Sequence, residues 1–451
     1  MASEWSRTSV GDLLAAEGGE IKTGPFGTKL KAAEYSQNGG VPVVSVGEVG
    51  LGEIAVSEKT PRVGPDVTTR MPEYILRTGD IVFGRKGAVE RSAIVKPHQD
   101  GWFLGSDGIR LRLPATCDAR YVAYQFQLPT HRSWMIQHST GSTMPSLNQH
   151  IVESIPLVLA PLSIQRRIAD VLGKLDDKIE LNRRMNRTLE KMAAAIFKSW
   201  FIDFDPVHAK AEGRDPGLPA ELADLFPDGF EESELGATPR GWAVRPLTGV
   251  IAINPKRTLA KGALAPFLEM SNMPTRGPSP GAWRMRKMTS GTKFINGDTL
   301  LARITPCLEN GKTAFVDFLV DGQVGWGSTE YIVLRPCDEI PPLFAYLLAR
   351  TPSFRTFAIR QMTGSSGRQR VPPQSLSKYQ LALPELDSPV YRALGHMVQP
   401  FFDRIKLAMM QNRRLAGLRD TLLPKLISGE LSAKNISVGW RDYTHQQEEV
   451  S

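Results

Sequence analysis

From Ser163 to Phe201 the apolar positions recur on an alternating four-three spacing: Ile168, Leu172, Leu175, Ile179, Leu189, Ile196 and Trp200, with Asn182, Asn186 and Ala193 in the remaining seats. A stripe so narrow and so long predicts a coiled-coil seam rather than the broad buried face of a globular helix. The pattern returns near the C-terminus at Leu394, Val398, Phe401, Ile405, Ala408, Asn412, Leu415, Leu422 and Leu426. Ile179 and Ile405, Asn186 and Asn412, and Leu189 and Leu415 are each 226 residues apart, so a polar seat recurs with the apolar ones. Two long helices with matched seams are predicted to pack on each other, and the seam asparagines to fix register and orientation at some cost in stability. Phe197, Trp200, Phe201 and Phe204 are too bulky for one seam; they suit either a partner's docking site or packing beneath a neighbouring domain.

The remaining chain reads as two globules and a connector. Residues 1–155 mix short strand-like runs (VPVVSV, DIVFG, SAIV, IRLRL) with Gly and Pro turns and one helical stretch, Tyr121 to Gln137, which predicts a mixed α/β domain. The first long helix falls within 156–204. Residues 205–236 are rich in Pro, Gly and acidic residues, lose periodicity and read as a connector with a short helix at Ala220 to Leu225. A second α/β domain covers 237–386, the second long helix falls within 387–432, and 433–451 is a loosely ordered tail.

The two globules are copies. Gly79-Asp80 precedes Arg85 as Gly297-Asp298 precedes Arg303, the arginine standing six residues past the glycine both times. Leu104-Gly105-Ser106-Asp107 matches Trp326-Gly327-Ser328-Thr329, Tyr121-Val122-Ala123-Tyr124 matches Leu343-Phe344-Ala345-Tyr346, and Thr140-Gly141-Ser142 matches Thr363-Gly364-Ser365. The offset grows steadily along the chain, as one duplication with small later insertions requires. The expected fold class is therefore α/β: two duplicated mixed α/β domains separated by two long antiparallel helices forming a coiled coil, with pseudo-two-fold symmetry inside one chain. A helix of about 35 residues spans roughly 50 Å, so globules held at its ends stand a DNA turn (~34 Å) or more apart, the spacing with which dimeric readers reach two half-sites. Because the copies differ strongly, the two half-sites would differ.

Composition narrows the class. The 55 Lys and Arg exceed the 47 Asp and Glu to give a net charge of +8, which shifts expectation modestly toward a polyanionic partner. No run approaches the ~20 apolar residues that cross a bilayer, and the first residues lack a signal-peptide layout, so a cytoplasmic location and no membrane partner are expected. Cys117, Cys307 and Cys337 have no pairing or zinc-type spacing, and the seven histidines form no ligand pair, so no metal site is expected. Asn254-Pro255-Lys256 lacks the second proline and the aromatic of an adenine-methyltransferase turn. Gly311-Lys312-Thr313 imitates the end of a phosphate-binding loop but precedes a strand-like run instead of a helix. Asp12, Glu20 and Lys22 are a weak nuclease-like cluster. The chain is expected to be non-catalytic.

Gly24-Pro25-Phe26-Gly27, the Thr140-Gly141-Ser142 segment leading to Ile155-Pro156 and Pro161-Leu162, Gln165-Arg166-Arg167-Ile168 opening the first helix, Phe197-Lys198-Ser199-Trp200-Phe201 closing it, and Ser233 to Trp242 form an ordered series. In that order they resemble the specificity subunit of type I restriction-modification systems across nearly the whole chain. The second helix departs from the pattern, opening with Ser388-Pro389-Val390-Tyr391. The resemblance implies that each globule is a target recognition domain reading half of a bipartite DNA sequence and that the paired helices act as ruler and docking site. It also implies two methyltransferase (modification) subunits using S-adenosylmethionine and two translocase/nuclease (restriction) subunits using ATP and Mg2+, with no cofactor bound by this chain itself. A scaffold whose globules bind protein is the alternative.

Cationic and hydroxyl loop residues are the candidates for DNA contact, because they neutralise phosphate and bond base edges. In the first domain these are Lys22, Lys29, Lys31, Arg85, Lys86, Arg91, Ser142 and Thr143; in the second, Lys256, Arg257, Arg303, Lys312, Arg368, Gln369 and Arg370. Arg85 and Arg303 stand out because the duplication kept both, although the Gly-Asp turn before them equally suits a folding role.

Overall fold

The computed structural model describes residues 5–27, 29–36 and 39–432; the tail expected at 433–451 lies outside them. The chain divides into two units, one formed by residues 1–179 and the chain from 414 onward, the other by residues 180–413. The long helices run unbroken from Leu162 to Phe201 and from Pro389 to Ile427, so each contributes one segment to each unit. The second helix starts on a proline, whose fixed φ and missing N–H cost nothing at a first turn.

Within each unit the helix segments run antiparallel. In the second unit Asn182 Nδ2 donates to Asn412 Oδ1 (2.8 Å) and Gln411 Oε1 (2.7 Å), while further along the first helix Phe201 stacks on Tyr391, which precedes Asn412 on the second, with ring centroids 5.9 Å apart. In the first unit Arg419 Nη1 donates to Asp176 Oδ1 at 2.7 Å, and Leu423, Leu426 and Ile427 share a core with Ile168 and Leu172. Ile168, Leu172, Leu175, Ile179, Asn186, Val398, Ile405 and Asn412 are buried, as the seam requires. Leu189, Ile196, Phe401, Leu415 and Leu422 are only half-buried, and the deepest positions nearby are Ala193, Phe197, Phe402 and Leu423. The buried stripe moves by one residue because a straight helix drifts from a seven-residue repeat, and a segment that also meets a domain core needs a wider apolar face.

The aromatic cluster closing the first helix belongs to that wider face. Phe197 and Phe201 pack edge-on against Phe344, Trp200 against Phe226, and Phe204 against Trp242, all in the core of the second unit. Packing beneath the domain, not a docking site, explains these residues.

Each unit carries two four-stranded sheets, the first of which repeats strand for strand. The first has a four-stranded antiparallel sheet in the order Glu20–Thr23, Gly108–Arg112, Ile81–Gly84, Ser92–Ile94, and the second repeats it as Ile251–Ile253, Tyr331–Pro336, Thr299–Ala302, Thr313–Phe315. A second sheet in each is built on one parallel contact, Val41–Val44 with Phe103–Leu104 and Leu264–Leu268 with Gly325–Gly327. A closing ribbon also repeats, Ser6–Ser9 with Pro156–Leu159 and Ala243–Pro246 with Gln380–Leu383. The expected helical stretch at Tyr121 to Gln137 is two helices, Ala119–Gln127 and Pro129–His138, and its copy breaks the same way into Leu343–Arg350 and Pro352–Arg360. A proline opens the later helix in each copy. The connector is more ordered than its composition suggests, with helices at Asp205–Ala211 and Ala220–Ala223 and a hairpin pairing Phe230–Ser233 with Gly236–Pro239.

Asn186 and Asn412 occupy equivalent seats in the duplication, yet they do not bond to each other. The antiparallel register that sets Asn182 opposite Asn412 sets Asn186 opposite Ala408, which offers no side-chain partner, and Asn186 Oδ1 is buried without a hydrogen bond. An unpaired buried amide oxygen costs about 1–3 kcal/mol. Asn186→Leu is expected to raise the thermal midpoint of the full chain. Asn182→Leu, which strands Asn412 Oδ1, is expected to lower it by a change worth about 1–2 kcal/mol. Equal shifts in scanning calorimetry would show that the two asparagines are not differently satisfied.

Candidate nucleic-acid interface

Each candidate interface grows from the Gly-Asp turn ahead of the central strand. Gly79 and Gly297 adopt φ of 91° and 87°, a region closed to most side chains. The aspartate after each is buried, at 2% exposure for Asp80 and 0% for Asp298. Asp80 accepts from the Arg77 backbone N–H at 2.8 Å and from Arg112 Nε and Nη2 at 2.7 Å each. That hydrogen bonding holds the Arg112 guanidinium more firmly protonated than usual. Asp298 accepts from the Ile295 N–H at 2.9 Å, from Arg257 Nη2 at 3.1 Å and from Arg335 Nη1 at 3.4 Å. Ile81 faces Leu111 and Thr299 faces Leu334, so Arg112 and Arg335 follow at the same place in the two sheets. Folding alone therefore accounts for the retained Gly-Asp turn.

The strand that leaves this turn delivers Arg85 and Arg303 to one geometry. Arg85 N–H donates to Asp107 O (2.9 Å) and its carbonyl accepts from Leu147 N–H (2.8 Å); Arg303 N–H donates to Glu330 O (3.0 Å) and its carbonyl accepts from Val371 N–H (2.9 Å). A loop closed on itself lies alongside in both. Thr140 and Ser146 exchange two backbone bonds of 2.9 and 2.8 Å, and Thr363 and Arg370 exchange two of 2.9 Å. The clamp brings Arg85 and Lys86 beside the Ser142 and Thr143 loop. In the second unit it brings Arg303, Arg368 and Arg370 together around a cleft of ≈ 580 Å³ that Thr363, Ser365 and Gln374 also line.

Acidic residues temper both clusters. Lys86 Nζ lies 3.5 Å from Asp107, Arg370 Nε donates to both Glu330 oxygens at 2.9 and 3.1 Å, and Arg303 Nε sits 3.5 Å from Glu330 without a hydrogen bond. Ion pairs exposed to this degree contribute little to stability, so they leave the cations exchangeable toward phosphate. Lys22 and Lys29 gather over the Tyr74 ring at 5.6 and 6.0 Å from its centroid. Lys31, Arg91, Lys256 and Arg368 are exposed, and Gln369 supplies its carbonyl to Thr305 N–H and Oγ1. Two candidates turn inward: Arg257 to buried Asp298, and Lys312, whose Nζ donates to Met270 O at 2.7 Å.

Sequence reasoning missed Arg284–Lys287, an exposed edge strand carrying three cations, with Arg286 lying over the Phe267 ring at 4.7 Å. The run RMRK without an acid was the available signal. It also missed Asp107 and Glu330, which nothing local marks as counter-charges. Of the cluster considered for nuclease chemistry, Glu20 stays 4.0 Å from Lys22 and also pairs with the buried Arg110, whereas Asp12 is engaged elsewhere, bonding Ser9 at a helix N-cap. Among the described residues no group of three or more His, Cys, Asp or Glu is placed to hold a metal ion, and no helix is long and apolar enough to cross a membrane. Cys117, Cys307 and Cys337 are unpaired thiols, and burial pushes the Cys117 pKa up to about 11, away from reactivity.

A family model described as type I restriction modification DNA specificity domain matches residues 3–191, the first domain and most of the first long helix. The type I restriction enzyme HindI specificity subunit of Haemophilus influenzae is 27% identical over 348 residues, covering 66% of this chain and 73% of its own. The MjaIX specificity subunit of Methanocaldococcus jannaschii is 25% identical over 413 residues, covering 87% of this chain and 84% of its own. Among solved structures, the type I restriction-modification S subunit from M. genitalium shares the fold with a TM-score of 0.53 at 14% identity, covering 94% of this chain and 96% of that one.

Arg257 and Arg368 separate structure from recognition. Arg257→Ala is expected to lower the stability of the second unit by about 3 kcal/mol, because it removes one cation from a buried carboxylate. Arg368→Ala is expected to leave the melting curve unchanged while reducing the salt dependence of DNA binding by about one counterion. Fluorescence anisotropy at several salt concentrations, beside calorimetry of the same variants, checks both.

Proposed function

Because the chain belongs to the specificity-subunit family of type I restriction-modification systems, we propose that its two domains read the two unlike halves of an interrupted DNA sequence and so choose where partner subunits act. The observation that carries this reading is the repeated clamp: the same backbone bonds present Arg85 and Arg303, while the side chains around them differ. A scaffold kept constant with variable groups on its loops is how one fold supplies different specificities.

The chemistry lies with the partners. Two modification subunits methylate adenine with S-adenosylmethionine, and two restriction subunits cleave with ATP and Mg2+. Support for a docking face on the helices comes from exposed apolar residues that the duplication kept. Leu181 and Leu407 are both exposed and stand 226 residues apart, as are Met192 and Leu418. Large apolar groups left in water at equivalent places on both helices fit two copies of one partner.

Co-expression with the neighbouring modification gene, followed by single-molecule mapping of methylated DNA, tests the reading. The expected result is a split asymmetric motif with an adenine modified in each half. Exchanging residues 237–386 for the equivalent domain of a relative is expected to change one half only. A complex that forms without any bipartite motif would sink the proposal in favour of a protein-binding scaffold.

A further inference from the structure

The duplicated backbone allows the two recognition sites to be compared residue by residue, and two equivalent positions change chemistry. Gly24 N–H donates to Gly108 O just past the Thr23–Ile109 pair, and Asn254 N–H donates to Val333 O just past the Ile253–Leu334 pair. Pro25 and Pro255 come next, so Phe26 stands where the second domain has Lys256. Counting back three residues from the N–H that bonds the arginine carbonyl, Leu147 in one domain and Val371 in the other, gives Met144 and Arg368. The first domain presents phenylalanine and methionine where the second presents lysine and arginine.

Both apolar side chains face water. Phe26 is 58% exposed and Met144 59%. Pro25 and Leu30 on either side of Phe26 are buried, and the Phe26 carbonyl accepts from Lys29 N–H (2.8 Å) and Leu30 N–H (3.3 Å). Met144 lies inside the loop closed by Thr140 and Ser146, and the next residue, Pro145, accepts from Gly87 N–H at 2.8 Å. The Arg85 guanidinium lies 5.5 Å from the Phe26 ring centroid, tied by Nη1 to Ser106 O at 3.2 Å. A phenyl ring held largely in water forgoes the burial that ordinarily stabilises an aromatic side chain, and the ring stands beside a cation suited to phosphate.

We propose that Phe26 and Met144 are apolar wedges that enter a base step of the half-site read by the first domain, whereas Lys256 and Arg368 hold the second half-site by charge. This rests on the DNA-recognition reading above. Apolar side chains of this kind part adjacent bases and favour steps that unstack easily, so the first half-site is read partly through deformability. Cations at the same positions contact phosphate or guanine edges and make binding sensitive to salt.

The test uses the full chain assembled with its modification subunits and a duplex carrying the mapped motif. Phe26→Ala and Met144→Ala are expected to weaken cognate binding about ten-fold each with the salt slope unchanged, and to leave binding to a scrambled duplex as it was. Lys256→Ala and Arg368→Ala are expected to reduce the slope instead. With 2-aminopurine in the first half, away from the methylated adenine, binding is expected to raise fluorescence in the parent complex and not in the Phe26→Ala complex. Unchanged cognate affinity in both apolar variants overturns the wedge, as does equal weakening on both duplexes. So does a loss confined to assembly with the modification subunits, which would make Phe26 a protein contact. A parent complex that does not distinguish the mapped duplex from the scrambled one instead overturns the recognition reading itself.

Discussion

A buried carboxylate at the head of the central strand governs each recognition site. Asp80 and Asp298 are almost wholly withdrawn from water, and a carboxylate in that position is tolerable only when hydrogen bonds and a cation surround it. The backbone N–H three residues earlier closes the turn, and an arginine from the neighbouring strand supplies the charge. These bonds fix where the strand begins and hence where the arginine just past its end, Arg85 or Arg303, emerges. The Asp80 and Asp298 carbonyls then accept from Val95 and Val316 N–H, which locks the same turn to the next strand. Backbone and buried charge thus hold the arginine's position, while the surface around it is free to change.

That separation explains what the duplication preserved. The copies share the strand order of the first sheet, the parallel contact in the second sheet, the proline break between paired helices and the loop clamp, all features of backbone geometry. They differ in the side chains that reach out from it. Lys86 with Asp107 in one domain and Arg370 with Glu330 in the other are different ways of holding a cation ready beside an exchangeable acid.

Periodicity made the long helices legible: the first, read from Ser163 to Phe201, is Leu162–Phe201, and the second, placed within 387–432, is Pro389–Ile427. The internal repeats made the shared fold legible, since matched Gly-Asp, Thr-Gly-Ser and Tyr-containing segments fall on matched elements. The seam was legible at most positions, from Ile168 to Ile179 and at Leu394, Val398 and Ile405, but not at all of them. Where Phe197 and Phe402 take the deepest seats in place of Ile196 and Phe401, the domain core competes with the partner helix for the buried face, and a heptad pattern cannot register that competition. The site was half legible. A loop arginine looks the same in sequence whether it faces solvent, as Arg368 does, or a carboxylate forty-one residues away, as Arg257 does. Phe26 was named only for the Gly-Pro-Phe-Gly run it stands in, because nothing in that run shows that the ring faces water.

The joints between domain and helix show how a duplicated contact survives when its partner does not. Tyr124 and Tyr346 are copies, and in each unit the hydroxyl donates to a carboxylate on the long helices. The strict equivalent of Asp176 is Phe402, which packs edge-on against Tyr346, so the second unit recruits Glu190 instead. Both acids come from the first helix. In the first unit Arg419 balances the carboxylate, and in the second Arg350 does so while also bonding the tyrosine oxygen at 2.9 Å. Burial, reinforced by the adjoining negative charge, raises both phenol pKa values well above the ordinary tyrosine range. Each hydroxyl therefore keeps its proton where an ordinary tyrosine would lose it. The donor that seats each domain on its helix is fixed by burial, and variation in the exposed loops can proceed without loosening it.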